Sequence, residues 1–525
     1  MKYLKYTMVF ITVTCLAIGC KKDLLETIPN DRISTDIFWR TENDALLAAN
    51  AVYTFMSESA QHFIGTDGMS DIVYANPTGP AEALIARGGF NALNSRISDD
   101  WSRAYAGIRA ANSFLANVDR VQSTNTALIT RLKGEVRTLR AYFYLRLAAL
   151  FGDVPLVKTE LTLAEGQQLT RNPVSEIWDF ISAELTAAAI ELPLTQTDKG
   201  RIRKGAALGL KARAMLYAGR YQEAADAAKA VMDLKLYSLY PSYKNLFSYA
   251  AENNAEVILD IQFIKDTYSN NLFQQLAPRS VNANSVWVPT KAIVDAYQMV
   301  NGSNISDAAS GYDPLKPFLN RDPRLRYSIF VPGDSLPNDK IFNPLPNSTT
   351  GDAVGSSFVV SATGFNVKKY VNKEDLTTVA NNGINIILMR YAEVLLIYAE
   401  AKIELNQIDA TVYDAINLIR KRGDVNMPAI SSGKTQDELR KILRQERLVE
   451  LAFEAHRFFD MRRWKIAETV MPGKVFGLTY TGTNGSLTTV EVPGFARTWE
   501  SRYYLWPIPQ KEIELDPNLT QNNGW

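Results

Sequence analysis

The sequence predicts a mostly α-helical fold, in which helix pairs of the tetratricopeptide type carry long irregular inserts and short β-hairpins. Helical spacing of apolar residues dominates two stretches, which define a scaffold at about residues 36–260 and 385–470. The stretches 261–384 and 471–510 are rich in Asn, Pro, Ser and Gly, with short β-like runs such as 356–361. Because loops of this length are uncommon in a compact domain unless they are functional, we expect both inserts to face a ligand.

The sequence predicts one long helix before the first repeat. Leu139, Phe143, Leu147 and Leu150 recur at helical spacing, so they predict one buried helical face. The run Gly-Asp-Val-Pro at 152–155 then ends that helix, because glycine and proline both terminate helices efficiently.

Two helix pairs follow the tetratricopeptide pattern. In the pair at 208–236, Gly219 permits a tight turn, and alanines on both sides let the helices approach closely. A second pair at 391–420 has alanines at comparable offsets around a turn at 406–407. We therefore expect several degenerate repeats.

Composition excludes some classes of function. The chain has 525 residues with 57 Lys and Arg against 56 Asp and Glu, a formal net charge of +1. This balance gives no basic face for nucleic acid. The only two histidines, His62 and His456, leave few ligands for a metal site, and we expect no metal and no cofactor.

The first residues have the pattern of a targeting segment. Lys2 and Lys5 precede an apolar stretch at 6–18, which is too short to span a bilayer. Gly19 before Cys20 resembles a bacterial lipobox, so we predict a signal peptide at 1–19, lipidation of Cys20 and one domain at 20–525. The alternative is an ordinary secretory signal cut elsewhere. No later apolar run has the length of a membrane helix, which favours an anchored protein over a spanning one.

The densest charged segment, 446–463, permits two interpretations. Carboxylates that recur every four residues on a helix could perform acid–base catalysis. The alternative is a structural lattice, in which Arg457 pairs locally with Glu454 and Asp460, each three residues away. We favour the lattice and a packed, hydrogen-bonded His456, and we predict no catalytic residues.

Several segments together resemble the SusD/RagB family over essentially the whole chain. The first of these segments is the lipobox-like sequence at Cys20, and each of the other segments is a short run of residues. These later runs are Phe38-Trp39, Arg140-Ala141-Tyr142-Phe143, Gly152-Asp153-Val154-Pro155-Leu156, Arg321-Asp322-Pro323-Arg324-Leu325, Met389-Arg390-Tyr391-Ala392-Glu393, Gln445-Glu446-Arg447-Leu448-Val449-Glu450, Asp460-Met461-Arg462-Arg463-Trp464 and Tyr503-Tyr504-Leu505-Trp506-Pro507.

The resemblance implies a SusD-like α-α superhelix that is not an enzyme. Family members are lipid-anchored at the outer membrane and face the cell exterior, where they capture a nutrient, usually an oligosaccharide. They pass it to a SusC-like TonB-dependent transporter. The runner-up is an oligopeptide-binding, RagB-like member of the same family. A surface glycosidase or peptidase and a purely structural repeat scaffold are further alternatives.

Sugar capture needs flat aromatic faces and planar polar groups, which leads to a set of candidate ligand-binding residues. Six tryptophans fall in helical or family-framework contexts, which leaves Trp287 and Trp499 in loop-rich surroundings. Trp287 is the favoured platform, although it could instead anchor its loop to the scaffold. A second candidate loop is 61–80. The predicted residues are Trp287, Tyr268, Asn284 and Arg279 from the insert and Asp71 and Tyr74 from the second loop.

Overall fold

The computed structural model of the protein describes residues 38–56, 60–75 and 81–525. The signal peptide predicted at 1–19 and the predicted lipidation site, Cys20, lie outside these residues. Helices dominate the described chain and the strands are few and short, which confirms the predicted fold class.

The secondary-structure elements are numbered here in chain order. The α-helices are α1 (Glu42–Met56), α2 (Ala60–Gly68), α3 (Ala81–Arg87), α4 (Ser95–Asn117), α5 (Thr126–Phe151), α6 (Leu163–Gly166), α7 (Val174–Glu191), α8 (Lys204–Tyr217), α9 (Tyr221–Asp233), α10 (Leu272–Leu276), α11 (Lys291–Ala296), α12 (Arg324–Ser328), α13 (Tyr391–Glu404), α14 (Ala410–Arg420), α15 (Gln436–Glu450), α16 (Arg457–Arg463), α17 (Ala467–Val470) and α18 (Gln510–Leu515). The strands are β1 (Val73–Ala75), β2 (Val257–Ile261), β3 (Trp287–Pro289), β4 (Ile329–Phe330), β5 (Asn366–Val367), β6 (Ile386–Arg390), β7 (Gly473–Thr481) and β8 (Leu487–Arg497).

The scaffold is a row of helices, each packed against the next. The order in space is α4, α5, α7, α8, α9 and α13, and α14 and α15 then pack on α13. Antiparallel neighbours of this kind bury one apolar stripe per helix, as in stacked helical repeats. No helix in the described part of the chain is both long and apolar enough to cross a bilayer.

Both predicted helix pairs are present. The first consists of α8 and α9, joined by a turn in which Gly219 has φ +73°. The second consists of α13 and α14, and its turn holds Asn406 at φ +55°. The predicted long helix is the second half of α5, which ends at Gly152 with φ +75°. Glycine and asparagine tolerate this left-handed region better than other residues, so these turns are encoded locally.

The Gly219 turn allows a clean test of backbone preference. A Cβ at this position would meet no atom within 4 Å, so the substitution Gly219→Ala introduces no clash. It should still destabilise the protein by about 1–2 kcal/mol, because alanine is strained at this φ. Thermal or denaturant unfolding would measure the loss. Gly89→Ala is the matched control: its Cβ is also unobstructed and its φ is not positive. Equal stability of the two variants would contradict the prediction.

The strand content of the inserts differs from the sequence-based prediction. The run 356–361 is not a strand, because its backbone bonds are used in tight turns, with the Val360 N–H donating to the Ser357 carbonyl (3.3 Å). The second insert instead holds the longest strands, β7 and β8, which form an antiparallel hairpin. Elsewhere antiparallel pairs join β1 to β3, β2 to β6 and β4 to β5.

The charged segment 446–463 is a structural lattice, but with partners from distant parts of the chain. Glu454 pairs with Arg390 (2.6 Å) and Lys369 (2.6 Å), whereas Arg457 pairs with Asp71 (2.7 Å). The predicted local pairs of Arg457 are therefore wrong, because these side chains are buried and find partners across the core.

The centre of this lattice is a cluster of five cations and five carboxylates, all buried, which we call the buried charge cluster. Its ion pairs have N···O distances between 2.6 and 2.9 Å. Because the charges balance and each group is paired, the cluster avoids the large cost of an isolated buried charge. Its members are Arg324, Lys369, Arg390, Arg420, Arg422, Glu256, Asp322, Glu446, Glu450 and Glu454.

Candidate functional site

Trp287 is not a ligand platform. The side chain is 0% exposed and lies in β3, where its ring packs on α2. A Cβ at Gly68 would overlap the Trp287 ring, so this glycine is needed to admit the indole, and a Cβ at Gly65 would make a tight contact with the ring at 3.2 Å. The anchoring alternative is therefore correct, and the stacking prediction for Trp287 is wrong.

The predicted loop 61–80 is also part of the core over its described residues. It forms α2 and β1, and Tyr74 is 0% exposed opposite Val288. Both carboxylate oxygens of Asp71 accept hydrogen bonds from the Arg457 guanidinium, at 2.7 and 2.8 Å. Neither side chain is available to a ligand, so these two predictions are wrong as well.

A neighbouring buried carboxylate shows why this segment is structural. Asp67 accepts hydrogen bonds from the backbone N–H groups of Ala455 and Arg457, both at 3.0 Å. Burial raises the pKa of Asp67 to about 7. Asp67 and Asp71 thus fasten α2 and its extension to the start of α16.

Arg279 and Asn284 lie on the surface of the first insert. Arg279 is exposed next to the segment around Gly351, and Asn284 is half-buried, its backbone N–H donating to the Gln274 carbonyl (2.9 Å). Neither lines the cavity described below, and their role in binding stays a prediction.

Tyr268 does present an aromatic face. Its side chain is 47% exposed, and its ring stacks on Phe263 with centroids 5.3 Å apart and planes 7° from parallel. The two rings flank a turn after β2, closed by hydrogen bonds of 2.8 Å in both directions between the backbones of Ile264 and Tyr268. Phe263 and the turn therefore hold the Tyr268 ring in a fixed orientation, as a stacking platform requires.

Tyr268 lines a cavity of about 390 Å³, here called the Tyr268 cleft. This volume falls within the roughly 300–1,000 Å³ of small-molecule sites. Three separate segments build it: α1, the loop before α8, and β2 with its following turn. The lining residues are Asn50, Tyr53, Thr54, Met56, Lys199, Gly200, Arg201, Asp260, Ile261, Gln262 and Tyr268.

One wall of the cleft carries a carboxylate and an amide in a fixed relation. Gln262 Nε2 donates to Asp260 Oδ2 at 2.7 Å. Asp260 is only 6% exposed, and burial raises its pKa although the amide opposes that shift. A carboxyl and a planar amide held together in this way can read adjacent hydroxyl groups of a sugar.

The opposite wall is ordered by a buried glutamate behind it. Tyr53 Oη donates to Glu135 Oε2 (3.0 Å), and Arg201 Nη1 donates to the same oxygen (3.0 Å). The Arg201 guanidinium also lies 5.6 Å from the centre of the Tyr53 ring. Burial raises the pKa of Tyr53 well above its ordinary value, so its hydroxyl stays protonated and keeps donating. This wall therefore needs little reorganisation on binding.

The cleft presents groups that can bind a polar ring. It offers aromatic, amide, carboxylate, ammonium and guanidinium groups around a half-open space. Within the described residues, no group of three or more His, Cys, Asp or Glu side chains could hold a metal ion. Sequence reasoning missed Tyr53, Arg201, Asp260 and Gln262, because no motif joins segments this far apart in the chain.

Two family models match the chain. Residues 68–216 match a model described as starch-binding and associating with the outer membrane, and residues 255–525 match that of the SusD family. In addition, a SusD-like protein of Formosa agariphila is 27% identical, in an alignment that covers 99% of each chain.

Solved structures share the fold. A SusD-like carbohydrate-binding protein from Bacteroides fragilis has a TM-score of 0.85 at 30% identity, covering 92% of this chain and 100% of that one. A laminarin-binding SusD-like protein has a TM-score of 0.69 at 23% identity, covering 93% of this chain and 100% of that one.

Proposed function

The chain belongs to the SusD family, and on this premise we propose that it captures oligosaccharides at the outer membrane through the Tyr268 cleft. The observation that carries the proposal is the exposed Tyr268 ring, held flat by Phe263 beside the Asp260–Gln262 pair. Two comparisons support it: the matched model is described as starch-binding, and the relative from Bacteroides fragilis is described as carbohydrate-binding.

The proposed location follows from the N-terminal sequence and from the family. We propose that cleavage after Gly19 exposes Cys20 for lipidation, which anchors the protein to the outer membrane with its domain facing outward. The description of the model that matches residues 68–216, which names the outer membrane, supports this location. The proposed partner is a SusC-like TonB-dependent transporter, to which the captured glycan is delivered.

Binding in the cleft would use complementary parts of a sugar. The C–H face of one ring stacks on Tyr268, while Gln262 and Asp260 exchange hydrogen bonds with its hydroxyls. Arg201 donates from the other wall without leaving Glu135. Each contact is non-covalent, so the ligand is held and released with its bonds intact. The protein is accordingly proposed to be a binding protein and not an enzyme.

Calorimetry of the purified protein would test the ligand class. Titration with a panel of plant, host and microbial oligosaccharides should give a saturable heat for at least one of them. Titration with a peptide digest tests the oligopeptide-binding alternative. Analysis of the glycan recovered after binding tests the alternative that the protein is a glycosidase. A peptide signal with every glycan silent, or recovery of cleaved glycan, would overturn the proposal.

The substitution Tyr268→Ala should weaken binding of that oligosaccharide by roughly tenfold, because the stacking face is lost. Tyr268→Phe should keep most of the affinity, since the ring remains. Phe358→Ala is the matched control, because Phe358 is an exposed ring (75%) that does not line the cleft. Calorimetric affinities would measure all three. An unchanged affinity for Tyr268→Ala would remove Tyr268 from the site.

A further inference from the structure

A second cavity, distinct from the Tyr268 cleft, lies at the opposite end of α8. It has a volume of about 390 Å³ and is bounded by the end of α5, the turn between α8 and α9, α16 and the C-terminal segment. The cleft lies at the N-terminal end of α8 and this cavity at its C-terminal end. A helix of this length separates them by roughly 20 Å. We call it the Arg462 cavity.

Arg462 lines this cavity and has no carboxylate partner. Its side chain is 5% exposed, and its Nε and Nη2 atoms donate to the Tyr504 and Leu150 carbonyls, both of which are neutral. The remaining nitrogen, Nη1, has no hydrogen-bond partner among the described residues. A buried guanidinium nitrogen left without an acceptor is costly, so this site favours an acceptor from outside the chain.

Two further cations line the cavity, and neither forms an ion pair with a carboxylate among the described residues. Arg171 donates to the Asp153 and Thr520 carbonyls and to the Asn522 side chain, which are again neutral acceptors. The Lys465 ammonium lies 3.9 Å from the centre of the Tyr504 ring. Asp153 is the only carboxylate among the lining residues, so these three cations leave an excess of positive charge.

The fourth cation of the lining is already neutralised. Arg463 forms ion pairs with Glu400 (2.5 Å) and Asp460 (2.8 Å), which lie behind the cavity wall. The excess charge therefore belongs to Arg171, Arg462 and Lys465. Burial lowers the pKa of Arg462 to about 9, and burial together with nearby Arg462 lowers that of Lys465. The bound anion would relieve this mutual repulsion.

Four aromatic residues also line the cavity, among small and apolar side chains. Tyr217 stacks on Phe459 with centroids 5.5 Å apart and planes 25° from parallel, and Trp178 and Tyr504 also line the cavity. Trp178 and Phe459 are buried, whereas Tyr217 and Tyr504 are half-buried. A partly exposed ring next to a cation can contact a sugar while the cation holds a negative group on it.

We propose that the Arg462 cavity is a second binding site, which takes a sugar-sized ligand carrying one carboxylate or sulfate group. The Lys465 ammonium and the Arg462 guanidinium hold the oxyanion, and Tyr217 and Tyr504 contact the ring. The proposal does not depend on the ligand of the Tyr268 cleft.

Calorimetric titration with three matched probes tests the site. Sodium D-glucuronate and D-glucose 6-sulfate carry the two forms of oxyanion on the same ring, and D-glucose carries none. At least one anionic probe should bind saturably, more weakly at high salt, whereas glucose should not. Binding of glucose as tight as that of the anionic probes, or no binding of either anion, would overturn the proposal.

Substitutions then locate the site. Lys465→Gln should weaken binding of the anionic probe by about tenfold, because a charge-assisted hydrogen bond is lost. Lys465 is exposed, so this variant should fold, which its melting temperature would check. Lys340→Gln removes an exposed charge outside the cavity and should leave binding unchanged. Equal effects of the two substitutions would overturn the assignment, as would loss of anion binding in Tyr268→Ala.

Discussion

The variant Arg390→Met should unfold with a free energy about 3–5 kcal/mol lower than that of the wild type, because three buried carboxylates lose one of their cations and the buried charge cluster is left with a net negative charge. Arg390 donates to Glu256 (2.8 Å), Glu450 (2.7 Å) and Glu454 (2.6 Å), and it is itself 1% exposed. Methionine fills a similar volume, so the loss would come from charge rather than from a cavity. Denaturant unfolding followed by circular dichroism would measure it.

A matched control distinguishes the effect of burying an ion pair from the effect of the ion pair itself. Arg440 forms a bidentate pair with Glu404 (2.9 Å for both contacts), but its side chain is 25% exposed. The substitution Arg440→Met should therefore cost no more than about 1 kcal/mol. If both variants lost the same unfolding free energy, burial of the ion pairs would not be the cause of the loss in Arg390→Met.

The pH dependence gives a second readout of the Arg390→Met variant. Burial alone would raise the pKa of Glu450, but Arg422, Arg390 and Arg324 outweigh it and hold this pKa below its usual 4.5. A lowered carboxylate pKa contributes stability above the usual value and loses it as the pH falls. The difference in unfolding free energy between the wild type and Arg390→Met should therefore become smaller below about pH 4.

The buried charge cluster also determines where the candidate site lies. Glu256 directly precedes β2 and Arg390 ends β6, so their ion pair joins the two strands. The pairs of Arg390 with Glu450 and of Glu256 with Arg422 then attach this sheet to the helical scaffold. The turn that carries Tyr268 follows β2 after two residues. The position of Tyr268 thus depends on charges that are not among the lining residues of the Tyr268 cleft.

The helical scaffold was predictable because its signals are local. Apolar spacing and one turn residue define each helix pair, as Gly219 and Asn406 show by their positive φ. Neighbouring helices then pack against each other, because each must bury its apolar stripe. The mostly helical character of the fold accordingly followed from periodicity and turn residues, whereas the SusD-like superhelix was implied by the family resemblance.

The partners of the buried charges were not predictable from local spacing. A pair three residues apart on a helix, such as Glu454 and Arg457, is the natural choice if both side chains face solvent. Both are buried, and their partners come from β6 and from the residues just after α2. Which distant segment supplies a partner is a property of the tertiary structure.

Candidate binding residues were only partly predictable, for a related reason. Amides and aromatics led to the prediction that the first insert faces a ligand, but composition does not distinguish an exposed ring from a buried one. Tyr268 is exposed because it sits at a turn, whereas Trp287 enters β3 and is covered by α2. The glycine that admits Trp287, Gly68, is more than 200 positions away in the sequence.

The variant Trp287→Ala should lose about 3–5 kcal/mol of unfolding free energy, because it leaves a cavity between β3 and α2. Trp287 is among the largest fully buried side chains, and nothing from solvent contacts it. Its indole N–H has no hydrogen-bond partner in the described structure. Trp287→Phe keeps much of the volume and removes that buried donor, so it should cost markedly less than the alanine variant.

Unfolding and binding measured together decide between the two roles of Trp287. Because Trp287 is a core residue, its replacement by alanine should lower the melting temperature, while the folded fraction should keep its affinity for the oligosaccharide that is proposed to bind in the Tyr268 cleft. Trp499→Ala is the control, because Trp499 is the other tryptophan in a loop-rich context but is only half-buried, so its loss should cost less. We do not expect the ring to contact a ligand, because it is completely buried. An unchanged melting temperature together with lost affinity in Trp287→Ala would contradict this prediction.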